Sequence, residues 1–150
     1  MIDENFFDTL NYCICSAVNK FVGREKAVEV FREVGKFHFK ALREKGAVKV
    51  GSTPLETLES VARYLERSGY MNKIVIQRTG ENEAVVDMYG VSVLDSSVRL
   101  TDENKAPSHI MTNTMFAALD EIGYEAEMID LLFDKEGNHV REKWVIKKRS

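Results

Sequence analysis

Proline and cysteine are both scarce in this chain of 150 residues, with two of each. Pro54 and Pro107 stand alone, so no proline-rich linker divides the sequence, and one domain is expected over residues 1–150. Cys13 and Cys15 lie too close together to staple a fold, which excludes a disulfide scaffold and suits a reduced, cytoplasmic setting. No apolar run approaches the roughly 20 residues of a membrane span. Asp3 and Glu4 open the chain where a signal peptide would carry basic residues. A net charge of −3 supplies no field for nucleic acid, and Lys147-Lys148-Arg149 is short enough to be a solubilising end. Also missing are a phosphate loop, a dinucleotide fingerprint, a Gly-x-Ser-x-Gly elbow and a Ser-His-Asp order.

What is present is a repeated pattern. Ser108 is expected to cap a helix that Pro107 bars from starting earlier, with Met111, Met115, Ala118, Leu119 and Ile122 on one apolar face. Gly123-Tyr124 stops it, and Glu125–Phe133 and His139–Ile146 read as strands about a Lys135-Glu136-Gly137-Asn138 turn. The same grammar occurs earlier. Thr53, Pro54 and Glu56 form a capping box for a helix over Leu55–Ser68. Gly69-Tyr70 stops that helix, and Asn72–Arg78 and Glu83–Tyr89 read as strands. Two helix–hairpin units thus stand 54 residues apart, from Gly69 to Gly123.

Two helices precede them. Asp3–Phe21 carries Phe6, Phe7, Leu10, Ile14, Ala17, Val18 and Phe21, an apolar stripe wider than one core contact uses. Residues 1–21 are therefore expected to form a dimerisation helix, with Phe6, Phe7 and Leu10 buried between subunits of a homodimer. Arg24 to about Lys45 is a longer helix with Ala27, Val28, Val30, Phe31, Val34, Phe37 and Leu42 expected inward. Gly90–Ala106 reads as short strands at 91–94 and 96–100 with a polar loop, long enough to act as a lid. The expected fold is α+β: two N-terminal helices, then two helix–hairpin units forming one largely antiparallel sheet covered by helices.

Chemistry-bearing residues are few. Cys13 and Cys15 point about 200° apart on a helix and cannot chelate one ion; they read as structural cysteines. His38, His109 and His139 fall on three different elements. Only His109, at a helix N-terminus behind a polar segment, stands where the polar end of a ligand would arrive. Soft apolar material surrounds that helix, notably Phe37, Met88, Met111, Met115 and Phe116. Such residues fill cores first and adaptable cavities second.

From about Val22 onward the chain resembles the 4-vinyl reductase domain family, small hydrocarbon-binding domains related in fold to core subunits of the TRAPP transport complexes. The resemblance rests on Gly23-Arg24 and Gly35-Lys36, and on Leu55-Glu56-Thr57-Leu58 running to Gly69. It also rests on Ser108-His109 before a helix, a strand and Gly137-Asn138. It implies that residues 22–150 form a family-like region that binds an apolar molecule. Many relatives carry a Cys before the helix and two more around the last hairpin, which hold zinc in several regulators. Here Ser108 takes the first place and no Cys follows Cys15, so no zinc is expected. The family name suggests reduction of a tetrapyrrole vinyl group, and nothing in the sequence supplies a redox group or cofactor motif for it.

The leading expectation is a stand-alone binding domain for an apolar or amphipathic ligand, with no cofactor, acting as sensor, carrier or scaffold. Its site would draw on Phe37, Met88, Tyr89, His109, Met111, Met115 and Phe116. One alternative is a small enzyme using His109 as acid or base near Asp87 and Tyr89. Another is a homodimeric assembly module without a ligand.

Overall fold

A computed structural model describes residues 2–150. Five helices and four strands follow in the order α1 (Glu4–Val22), α2 (Arg24–Glu44), α3 (Pro54–Arg67), β1 (Lys73–Gly80), β2 (Glu83–Tyr89), α4 (Leu94–Asp102), α5 (Ile110–Glu121), β3 (Tyr124–Asp134) and β4 (His139–Lys148). The strands form one antiparallel sheet in the order β1-β2-β4-β3. The two helix–hairpin units are α3-β1-β2 and α5-β3-β4, and their second strands pair at the centre of the sheet. The fold is α+β, as the repeated pattern predicts.

Local chemistry sets the ends of these elements. Thr53 caps α3 by accepting from Glu56 N at 3.2 Å. Glu56 answers one residue further out, accepting from Ser52 N and Ser52 Oγ at 2.9 Å rather than from Thr53. Gly69 and Gly123 follow α3 and α5 with φ of +81° and +85°, the left-handed stop that glycine takes at least cost.

Helices α3 and α5 pack on one face of the sheet, and α2 packs on α5. Leu58, Val61, Leu65, Ile74, Val86, Met111, Met115, Leu119 and Trp144 fill the space between, all buried. The other face of the sheet is open to solvent.

Three expectations need correction. The Gly90–Ala106 segment contains α4 instead of strands and a lid, because Leu94 and Leu100 are buried and Ser96 Oγ donates back to Val93 O at 3.1 Å. The inward face of α2 is Ala27, Phe31, Gly35, Phe39 and Leu42, and Phe37 stands 71% exposed. Gly35 fixes that phase: a Cβ there would lie 2.5 Å from the Asn113 backbone, so α2 crosses α5 at a residue without a side chain. The third concerns the start of α5. Its N-cap is His109, not Ser108, and the Ser108 hydroxyl donates to Asn11 Oδ1 at 3.0 Å.

Candidate functional site

Successive side chains on a strand point to opposite faces, so β2 and β4 each present two different chemistries. Toward the helices they send Met88, Val140, Glu142 and Trp144. Toward solvent they send Asp87, Tyr89, His139 and Arg141.

On the helix side, a narrow cavity of about 30 Å³ is lined by Tyr70, Met88, Val91, Val93, Leu94, Ser97, His109, Met111, Thr112, Phe133, Val140 and Glu142. That is room for a single water. The polar centre of its wall is Glu142. Thr112 Oγ1 donates to Glu142 Oε1 at 2.7 Å, and Trp144 Nε1 donates to the same oxygen at 2.8 Å. Both donors are neutral. Burial therefore raises the Glu142 pKa, and these two bonds only partly oppose it. Tyr70 is raised as well, by burial first and then by the nearby Glu142 carboxyl.

His109 closes the other end. It sits in the left-handed region with φ 42° and ψ 45°, and its carbonyl accepts the first helical bond from Asn113 N at 2.8 Å. That backbone costs a non-glycine residue about 1–3 kcal/mol, the kind of strain that clusters at functional positions. Asn113 Nδ2 holds the turn by donating to Ser108 O at 2.9 Å. Burial pushes the His109 pKa down to about 4, so the ring is neutral at pH 7.

His109 and Thr112 also line a wider groove of about 230 Å³, between α2, α5 and β3. Phe31, Phe116 and Met128 supply its apolar surface, and Arg24, Arg32 and Glu127 its charged groups. Neither arginine has an ion pair among the described residues.

Of the seven expected site residues, the cavity gathers Met88, His109 and Met111, and the groove takes His109 and Phe116. Met115 is fully buried core and lines neither space. It shares a face with Met111 one turn away, but lies deeper in the core. Phe37 lies on the far side of α2. Tyr89 lies on the open sheet face, stacked on His139 with centroids 4.7 Å apart. Asp87 shares that face, so neither of them approaches His109 as the enzyme reading requires. Glu142 and Tyr70 were passed over in the sequence. A lone Glu between Val140 and Trp144 at strand alternation is the signal that points one carboxyl inward.

No family model and no curated protein matches the sequence. Solved structures do match in fold. The Fe(II) unliganded H-NOX protein of K. algicida superposes with a TM-score of 0.54 at 12% identity, over 82% of this chain and 64% of that one. A structure from work on heme distortion in the H-NOX family gives 0.59 at 14% identity, over 100% and 74%. Another, from work on heme redox potential and porphyrin distortion, gives 0.52 at 12%, over 81% and 65%. This chain thus spans just under two thirds of the first of these proteins. The likeness is one of fold.

Proposed function

We propose that this chain is a binding domain for a small amphipathic molecule, acting as sensor or carrier. Its apolar body would lie in the groove over Phe31, Phe116 and Met128, with its polar or anionic end at Arg32. The observation that supports this reading is the shared wall. His109 and Thr112 face both the groove and the inner cavity, so a chain end could pass from one to the other by rotation of Met111 and Met88, flexible side chains suited to that. His109, being neutral, would serve as a hydrogen-bonding wall and not as an anion partner.

The solved neighbours are H-NOX proteins, so heme must be weighed. Axial ligand types are at hand in His109, Met88 and Met111. The space is not, because about 30 Å³ is far below the hundreds of cubic ångströms that a macrocycle requires. No Lys or Arg lines the cavity to meet a propionate either. The residues do not fit heme. The resemblance to hydrocarbon-binding 4-vinyl reductase domains agrees better with an apolar ligand.

Displacement of an environment-sensitive naphthalene sulfonate dye by dodecanoate and by dodecanol tests the reading. Dodecanoate is expected to displace at micromolar concentration. Arg32→Gln should weaken it about fivefold to tenfold while leaving dodecanol unchanged. Met128→Trp, which fills the groove, should abolish both. If neither compound displaces the dye, or Met128→Trp binds like the wild type, the groove is not the site.

A further inference from the structure

Helix α1 turns a mixed face inward: Cys15 and Val18 lie beside Asn11 and Asn19, and Phe7, expected between subunits, instead packs edge-on against Tyr70 with centroids 6.1 Å apart. Asn11 Nδ2 donates to Ser96 Oγ at 2.8 Å, and Asn19 accepts from Ala106 N at 2.8 Å while donating to Ala106 O at 2.9 Å. Tyr12 OH donates to Glu103 Oε1 at 2.6 Å, tying α1 to the end of α4. Outward stand Phe6, Leu10, Ile14 and Phe21, exposed by 60%, 43%, 51% and 83%, together with Cys13 and Ala17. A surface helix normally turns polar residues outward. Buried asparagines hold α1 in place, and an apolar stripe along a 19-residue helix, about 28 Å long, is left uncovered.

We propose that a second copy of this chain covers the stripe, with the two α1 helices antiparallel about a two-fold axis. The stripe is symmetric end to end. Turned about its middle, Phe6 falls opposite Phe21, Leu10 opposite Ala17, and Cys13 opposite Ile14 of the second copy. Leu10 against Ala17 sets a large residue against a small one. Charge follows the same inversion within the helix: Glu4 falls within one turn of Lys20. A parallel alignment would set acid on acid. A two-fold contact requires a self-complementary surface, and this helix has one in both shape and charge. The acidic N-terminal end also disfavours an anionic bilayer as the occupant.

Sedimentation of the full chain at micromolar concentrations should give a dimer, and Leu10→Glu and Phe21→Glu should each give a monomer with an unchanged far-ultraviolet spectrum. Cys13 lies near the axis and Cys15 is buried, so a short bis-maleimide should yield a covalent dimer that Cys13→Ser abolishes. Orientation is read by charge exchange. Glu4→Lys should weaken the dimer about fivefold to tenfold, and adding Lys20→Glu should restore it. A monomeric wild type, a dimer that survives Leu10→Glu, a failed restoration, or capture of the monomer by neutral phosphatidylcholine vesicles would overturn the proposal.

Discussion

Asp87 and Glu142 are carboxylates on paired strands, one register step apart, and they live in opposite worlds. Asp87 opposes Arg141 on the open face of the sheet and is buried beneath its partners there. It accepts from Arg141 Nε at 2.8 Å and lies 2.6 Å from His139 Nε2. Burial alone would raise its pKa, but these bonds outweigh burial and hold it below the ordinary range. Glu142 opposes Val86 and faces the helices, where its hydrogen-bond donors are a hydroxyl and an indole N–H. Its pKa goes up. One strand face stabilises charge and the other stabilises its absence.

The largest expected effect comes from removing the inner acceptor. Glu142→Leu should cost about 2–4 kcal/mol in urea unfolding, because Trp144 N–H and Thr112 O–H lose their partner while buried. Glu142→Gln keeps an acceptor and should cost less than about 1 kcal/mol. The pH dependence has a fixed sign. The folded pKa lies above the ordinary 4.5, so the contribution of Glu142 is full below that value and is lost as pH rises through the folded pKa. The wild type should therefore lose ground to Glu142→Gln as pH rises. A stabilising Glu142→Leu would mean that apolar filling outweighs the network, as it can for buried ionisable groups.

His109 sharpens the same contrast from the basic side. Its folded pKa of about 4 lies below the ordinary 6.5, so its contribution is present above 6.5 and is lost as pH falls through that window. His109→Asn tolerates the left-handed backbone and cannot titrate. The wild type should lose about 1–3 kcal/mol more than this variant between the two limits, measured by thermal or urea unfolding. Equal losses would place the ring in water.

Regular repetition was the readable part of the sequence. The Gly-Tyr stops and the period-two strands were legible because φ near +80° and strand alternation leave direct traces in residue type. The phase of α2 was not. Phe37 and Phe39 point about 200° apart, and the choice between them rests on Gly35 meeting Asn113, a contact between distant segments. α4 was misread because Val91-Ser92-Val93-Leu94 alternates like a strand until Leu94 and Leu100 find the core. In the candidate site, Met88, Met111 and His109 were legible from the helix terminus and the apolar residues about it. Glu142 and the inward asparagines of α1 were not, since polar residues at buried positions are recognised only by the partners that the fold brings to them.

The smallest expected effect is on the outer carboxylate. Asp87→Asn should cost about 1 kcal/mol at neutral pH, since an ion pair at the surface is partly screened by water. Its folded pKa is depressed, so the contribution of Asp87 is present above the ordinary 3.8 and is lost as pH falls through the folded value. The gap between wild type and Asp87→Asn should thus persist at pH 7 and close in acid, opposite to the trend at Glu142. Salt separates the two sites further. Arg141 is half-exposed, so raising the ionic strength should narrow the Asp87 gap, and it should leave the Glu142→Gln gap unchanged because neutral donors are not screened. If salt moves both gaps alike, Glu142 is ionised in the folded protein and the two faces do not differ in the way described.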